Sequence, residues 1–312
     1  MAGSSKNVII AALLGNTLIA LTKFIAAGIT NSSAMLSEGI HSLVDTGNQI
    51  LLLYGLKRAQ QPADEMFPFG HGKEVYFWSF VVAIMVFAVG AGVSLYEGVL
   101  RLREPMPIAN VYINYIVLGL ALVFEGAAWF FALREFTKQK GTASYVQAVQ
   151  RAKDPSTFVV LFEDSAALLG LAVALLATLL GQLTGNLYFD GVASIIIALI
   201  LAATAIWLAY ETKGLLIGER ASGEVIDGIR SIVSAVVSVK HVNEIATMHM
   251  GPDFVLANLS LDFVDNIPSQ EVEFTITQIT GKIKQQYPVV KRVFIEIENW
   301  RDHTPGTSIK SK

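Results

Sequence analysis

Residues 37–56 read SEGIHSLVDTGNQILLLYGL, a stretch that places three ionisable side chains at the start of a long apolar run. Glu38, His41, Asp45 and Asn48 follow one another at intervals of three or four residues, so a helix would carry all four on one face. An ionisable group inside a membrane span is costly unless it pairs, binds an ion or faces water. This polar face therefore predicts a functional site within a membrane helix.

The composition of the whole chain is that of a membrane protein. The 312 residues are 53% hydrophobic and only 16% charged, and the mean hydropathy is +0.52. A net charge of -3 gives no support for a nucleic-acid partner. Because the chain has no cysteine, disulfides, thiolate metal sites and cysteine nucleophiles are excluded.

The apolar segments predict a transport domain of six transmembrane helices over residues 1–212. A bilayer core about 30 Å thick needs about 20 apolar residues per helix. We interpret the first segment as a span, because no clear cleavage site of small residues follows it. Lysine and arginine favour the N-terminus and the loops after the second and fourth segments, which predicts two cytoplasmic termini in a cell (inner) membrane. The segments are 7–29, 34–56, 76–100, 111–133, 157–181 and 188–210.

Residues 213–312 have a different character and predict a cytoplasmic domain. No apolar run there is long enough to span a bilayer. The apolar pattern changes between helical and alternating periods in the order α-β-β-α-β. We therefore expect an α-helical membrane protein with a C-terminal α+β domain, ferredoxin-like or metallochaperone-like.

Further acidic residues lie within the predicted spans. Glu163 and Asp164 fall in the fifth span and Glu125 in the fourth, whereas Lys23 is the one basic residue well inside a span. We expect Lys23 to offset one carboxylate. The remaining carboxylates and the imidazole of His41 describe a divalent-cation site, and this mixture suits zinc and its neighbours better than magnesium or calcium.

The chain resembles the cation diffusion facilitator family over nearly its whole length. The resemblance rests on HSLVD in the second span, LFEDSAALLG in the fifth, and a PxD…FGHGK pattern between spans two and three. SEGIHSLVDTGNQ and DPSTFVVLFEDSAALLG are most similar to the branch that contains the animal mitochondrial zinc transporter.

The resemblance implies four metal ligands, two from span two and two from span five. His41 and Asp45 match the first pair, and Asp164 matches the second member of the other pair. The first member falls on Val160, which cannot coordinate a metal. The fourth ligand is then Glu163, Asn48 or water, and these alternatives stay open. Glu163 is alternatively a proton carrier, together with Glu125.

The resemblance also implies possible secondary metal sites outside the spans. In the loop after span two, Asp64 and His71 match family ligands but Phe67 replaces a histidine, so we expect His71 to shape the loop instead. Many family members hold a zinc cluster in the C-terminal tail. The matching positions here would supply one histidine and three carboxylates, a poor set for zinc. Its members are His241, Glu273, Glu296 and Glu298.

Together these features predict a proton-coupled antiporter that exports a divalent cation, most simply zinc, by alternating access. The cation is the cargo, no cofactor is required, and the tail forms a homodimer. Iron, cobalt, manganese and cadmium are alternative cargoes, because each accepts one nitrogen and several oxygens. Two other classes are a metal sensor and a membrane-embedded metallohydrolase. The second lacks HExxH and any nucleophile motif.

Overall fold

The structure is a computed structural model that describes residues 2–140, 148, 153 and 155–303. It divides into a helical unit, which comprises the chain up to Arg58 and Glu74–Lys213, and a second unit, which comprises Ala59–Lys73 and the chain from Gly214 onward. Much of the basic loop predicted between spans four and five lies outside the described residues.

The helical unit contains a helix at each of the six predicted segments. Helices α3 and α4 are joined by the π-helical turn Val86–Ala91 into one continuous helix. The elements are α1 (Ala2–Thr30), α2 (Ser33–Ala59), α3 (Glu74–Met85), α4 (Gly92–Arg103), α5 (Val111–Lys140), α6 (Pro155–Thr184) and α7 (Tyr188–Ile217).

Within the described residues, four helices are long and apolar enough to cross a membrane. Helix α2 falls outside this set because its polar face lowers its hydropathy, and α1 contributes a shorter apolar helix, Asn16–Thr30. The prediction of a helical membrane protein is confirmed, whereas the number of six spans stays a prediction. The four helices are Glu74–Arg103, Val111–Arg134, Phe158–Thr184 and Tyr188–Ile217.

Small residues allow the helices to pack closely. A Cβ added at Gly98 in α4 would lie 2.7 Å from the Ile195 side chain and 2.9 Å from the backbone nitrogen of that residue in α7. A Cβ at Gly191 would in turn lie 3.1 Å from the carbonyl oxygen of Gly98. Membrane helices lack a hydrophobic force that drives them together, so close backbone approach of this kind supplies the packing energy.

Asp190, in the first turn of α7, caps the N-terminus of α2. Its carboxylate accepts hydrogen bonds from the backbone nitrogens of Ser33, at 2.6 Å, and Ala34, at 3.3 Å, and from the Ser32 hydroxyl, at 2.5 Å. The Arg101 guanidinium of α4 lies 3.5 Å from the same carboxylate. A carboxylate at this position satisfies free N–H groups and complements the helix dipole. The contact fixes where α2 begins.

The second unit forms a small α+β fold. Strands β1 and β2 pair antiparallel, and β2 and β3 pair parallel through the α9 crossover. Ile229, Leu259 and Ile279 are fully buried in its core. The described elements follow the predicted order α-β-β-α-β: α8 (Gly223–Ser234), β1 (Val239–Gly251), β2 (Phe254–Phe263), α9 (Ser269–Gln286) and β3 (Val290–Ile297).

The capping role of Asp190 predicts a stability effect. Asp190→Ala removes the acceptor of two buried backbone N–H groups and the partner of Arg101. We expect this to lower the free energy of unfolding by about 2–3 kcal/mol. The measurement is thermal unfolding of the detergent-solubilised protein, with exposed Glu104→Ala as the control near the same end of the unit. An unchanged melting temperature for Asp190→Ala would contradict the role.

Candidate metal centre

A cavity of about 360 Å³ lies between α1, α2, α5 and α6. Its wall contains the carboxylates of Asp45, Glu125 and Asp164, one from each of three helices, and the side chain of Val160. The remaining wall combines a few polar side chains with apolar ones: Asn16, Ile19, Ser42, Gln49, Phe124, Ala128, Ala132 and Ala167. Carboxylates placed around a cavity that is accessible to water and enclosed by helices favour a cation site.

His41 and Asp45 stand together on α2 as the helical spacing requires. The imidazole is 1% exposed, and its Nδ1 lies 3.4 Å from Oδ1 of Asp45. Within the part of the chain that the structure describes, both ring nitrogens of His41 and Oδ1 of Asp45 are buried without a hydrogen-bond partner. Buried polar atoms nearly always have partners. Three unsatisfied polar atoms at one place are consistent with the prediction that this pair binds a ligand.

Helix α6 presents Val160 and Asp164 to the cavity, because four residues return the chain to the same helical face. Glu163 points elsewhere. It is 4% exposed, and its Oε1 accepts a hydrogen bond of 2.8 Å from Nδ2 of Asn48 on α2. Among the described residues, the cavity lining includes Asp45 and Asp164 but neither Glu163, Asn48 nor His41.

Lys23 of α1 connects two carboxylates on two other helices. Its ammonium nitrogen lies 2.7 Å from Oε1 of Glu125, 3.1 Å from Oε2 of Glu38 and 2.8 Å from the Ser42 hydroxyl. The lysine side chain is fully buried. One ammonium charge offsets one carboxylate, and the structure adds that Lys23 contacts two of them. Spacing along one helix cannot show which residue of a different helix lies opposite.

A glycine of α6 makes room for the Glu38 carboxylate. A Cβ added at Gly170 would collide with Oε1 of Glu38, the oxygen that does not contact Lys23. Glu38 is 0% exposed. The ion-pair network of Lys23 therefore depends on a side chain being absent from α6.

The candidate ligands do not form a closed metal site in this conformation. Within the described residues, no group of three histidine, aspartate or glutamate side chains converges as a metal cage would. His41 and Asp45 form a pair on α2, and Asp164 lies across the cavity on α6. Which of these residues coordinate a cation stays a prediction.

In the loop after α2, Asp64 and His71 bind each other. Nε2 of His71 lies 3.0 Å from Oδ2 of Asp64, while Oδ1 of Asp64 accepts backbone N–H bonds from Met66, at 2.9 Å, and Phe67, at 2.7 Å. The hydrogen bond from His71 is the largest cause that lowers the pKa of Asp64. The Phe67 ring centre lies 4.6 Å from that of His71. These contacts give His71 a part in shaping the loop, although its Nδ1 has no partner among the described residues.

In the tail, Glu298 has acquired a partner that the sequence pattern did not indicate. Its Oε2 lies 2.6 Å from Nδ1 of His303 and accepts a hydrogen bond of 3.1 Å from the Ser260 hydroxyl. The bond to His303 is the main cause that lowers the pKa of Glu298. A histidine five residues beyond a strand acid is the signal that could have suggested this pair.

The other three tail candidates are arranged differently. The His241 ring packs against the Trp300 ring with 5.4 Å between centres, and Glu273 and Glu296 are exposed. Among the described residues these positions do not gather into a three-ligand group. A tail metal cluster stays a prediction.

Comparison with known proteins places the chain in a class. The family described as the cation efflux transmembrane domain matches residues 9–217, which is more than half of the chain. The chain therefore belongs to the cation efflux family, whose members are membrane transporters of metal cations and not enzymes. The resemblance recognised in HSLVD and LFEDSAALLG is confirmed.

Several individual relatives align with most of this chain. The chain is 32% identical over 288 residues to the mitochondrial proton-coupled zinc antiporter SLC30A9 of Xenopus laevis, an alignment that covers 89% of this chain and 51% of the relative. It is 33% identical over 259 residues to human SLC30A9, an alignment that covers 82% of this chain and 45% of the relative. The manganese efflux system protein MneP of Bacillus subtilis is 22% identical over 293 residues, an alignment that covers 94% of this chain and 95% of the relative. The chain spans about half the length of the SLC30A9 relatives.

The space at Gly170 yields a second prediction. Gly170→Ala should displace Glu38 from Lys23 and destabilise the helical unit, even though alanine favours a helix over glycine by about 1 kcal/mol. Gly119→Ala is the matched control, because a Cβ there meets nothing within 4 Å. Thermal unfolding in detergent should show a loss for Gly170→Ala alone, and adding Glu38→Asp, which shortens the acid, should recover part of it. Equal melting temperatures for the two alanine variants would refute the contact.

Proposed function

We propose that the chain is a proton-coupled antiporter that exports a divalent transition-metal cation, with zinc as the favoured cargo. The observation that carries the proposal is the cavity lined by Asp45 and Asp164 beside the unsatisfied imidazole of His41. Membership of the cation efflux family supports metal transport. The zinc antiporter relatives support the cargo and the proton coupling.

In this proposal, His41, Asp45 and Asp164 are the ligands of the cargo ion. The imidazole gives a nitrogen ligand, and the two carboxylates neutralise the cation. Zinc prefers four ligands, and Val160 leaves the fourth position to water, unless a rotation of α6 or α2 brings in Glu163 or Asn48.

Exchange for protons follows from ligand chemistry. Histidine and carboxylates must be deprotonated to bind a metal, so protons that enter from the far side displace it. Glu125 lines the same cavity and Glu163 is buried one residue before Asp164, so both acids are placed to carry protons. We propose that the helices tilt between inward-open and outward-open states, which exposes the ligands to each side in turn.

The proposal includes a particular arrangement of the chain. Residues 1–212 form six transmembrane helices in a cell (inner) membrane, and residues 213–312 form a cytoplasmic tail that dimerises. Both termini are cytoplasmic, as the distribution of lysine and arginine favours. Secondary metal binding in the 57–73 loop or the tail is a weaker proposal, because Asp64 and Glu298 already have histidine partners.

Manganese is the second candidate cargo. The proposed ligand set of His41, Asp45 and Asp164 has a single nitrogen donor, because Val160 stands where the family has a further ligand, and manganese also accepts such a set. The Bacillus subtilis relative named as a manganese efflux protein points the same way. Iron, cobalt and cadmium tolerate the same donors.

The proposal is tested by metal uptake into proteoliposomes across an imposed pH gradient, with a panel of divalent metals. Asp45→Ala should abolish uptake while the protein stays folded, because it removes a carboxylate ligand from the cavity. Glu65→Ala, at an exposed position of the loop after α2, is the control and should transport normally. Uptake by Asp45→Ala near the wild-type rate would show that the proposed site is wrong.

Val160→His tests the missing ligand. Position 160 lines the cavity four residues before Asp164, so a histidine there adds a second imidazole on the same helical face. We expect zinc to bind more tightly, by about tenfold for a gain near 1.4 kcal/mol, and to be preferred more strongly over manganese. Competition between the two metals on purified protein measures this change. Val160→Asn, a polar control without an imidazole, should alter the ranking much less.

If Val160→His changed neither zinc affinity nor the ranking of metals, position 160 would not belong to the ion's coordination sphere. The fourth position would then be left to water or to Glu163 or Asn48, which contact each other at 2.8 Å.

A further inference from the structure

We propose that Lys23 determines cation selectivity by occupying Glu125 and so keeping a third carboxylate away from the transported ion. Lys23 acts as an internal, tethered cation beside Glu125, which lines the cavity. This inference rests on the proposed function, because it concerns which ions the same site accepts.

The contacts of Lys23 are the first part of the evidence. An ammonium group has three N–H donors, and three acceptors surround this one: Glu125, Glu38 and the Ser42 hydroxyl, at 2.7, 3.1 and 2.8 Å. Lys23 is fully buried, so no water competes for these donors. With its donors saturated, Lys23 shares its single positive charge between Glu38 and Glu125 and leaves Asp45 and Asp164 to the cargo.

The position of Glu125 is the second part. Glu125 lines the same cavity as Asp45 and Asp164. Its Oε1 is held by Lys23, while its Oε2 is buried without a hydrogen-bond partner among the described residues. Without the ammonium, Glu125 is therefore a third carboxylate beside the ion. Glu38 differs, because it is not part of the cavity lining and its free oxygen packs on Gly170.

The chemical consequence is a change in donor balance. With Lys23 in place, the ion meets one imidazole and two carboxylates, a mixture suited to zinc and its neighbours. A third carboxylate would enrich the site in charged oxygen, which manganese and calcium prefer. The imidazole nitrogen would then contribute a smaller share of the binding. Lys23 thus favours borderline metals over hard ones without touching the metal itself, which makes it a positioning residue.

Two double variants with equal charge separate this role from general electrostatics. Lys23→Met with Glu38→Gln removes one positive and one negative charge and leaves Glu125 free at the cavity. Lys23→Met with Glu125→Gln makes the same change in net charge but leaves the carboxylate at Glu38, away from the lining. Both avoid the two unpaired buried carboxylates that Lys23→Met alone would create.

The measurement is competition between manganese and zinc for binding to the purified protein in detergent, a readout that does not require proton transport through Glu125. We expect the Lys23→Met/Glu38→Gln variant to raise the manganese-to-zinc ratio about tenfold, which corresponds to about 1.4 kcal/mol. The Lys23→Met/Glu125→Gln variant should stay within about twofold of wild type, or about 0.4 kcal/mol. Lys23→Arg, which keeps the charge, should preserve the wild-type ranking.

Equal ratios in the two double variants, or a larger change when Glu125 is removed, would overturn the inference. If the first double variant fails to fold, Lys23→Gln with Glu38→Gln replaces it, since a neutral amide can still hydrogen-bond but weakens the hold on Glu125 and should shift the ratio in the same direction. An unshifted ratio in Lys23→Gln/Glu38→Gln would likewise overturn the inference.

The binding assay distinguishes this failure from failure of the proposed function. If the wild-type protein binds metals but transports none, the transporter proposal fails, while the effect of Lys23 on metal ranking is still decided by the detergent measurement. If the wild type transports zinc and the double variants agree with each other, the transporter proposal stands and the role of Lys23 fails.

Discussion

A carboxylate within a bundle of membrane helices has no bulk water to solvate it, and this constraint organises the helical unit. Each buried acid must find a cation, a donor or a cavity. Glu38 and Glu125 share the ammonium of Lys23, Glu163 accepts from Asn48, and Asp190 caps α2 beside Arg101. Asp45 and Asp164 line the cavity, as Glu125 does. The acids held by Lys23, Asn48 and the first turn of α2 support the structure, and Asp45 and Asp164 are those to which we assign the cargo.

Helix α2 is held at three levels by contacts to other helices. Its first turn is anchored by Asp190, Glu38 is clamped between Lys23 and Gly170, and Asn48 is bonded to Glu163 of α6. His41 and Asp45 lie between these anchored levels. The helix with the most polar face thus positions the candidate ligands through contacts that do not involve the ligands. Because α2 is already anchored, less order has to be imposed on this helix when an ion binds to His41 and Asp45.

The polar groups outside the helices follow a different rule. In the second unit, Asp64 and Glu298 are partly exposed to solvent. Each nevertheless pairs with a histidine, and this contact lowers the pKa of the carboxyl group. Those partners compete directly with a metal for the same oxygens. The contrast with Asp45, which has an unsatisfied oxygen and a histidine beside it, explains why we place the cargo site in the helical unit.

The sequence by itself determined the class of protein, the helical segments, the order of the tail elements and the residues that share each helical face. These follow from hydropathy and from periods of 3.6 and 2 residues, which are properties of local chain geometry. His41 with Asp45, and Val160 with Asp164, could be paired from spacing alone. Only the tertiary structure decided that Lys23 holds both Glu38 and Glu125 and that Glu163 turns to Asn48. These pairings join different helices, and they depend on how the helices rotate and pack against one another, which no local period encodes.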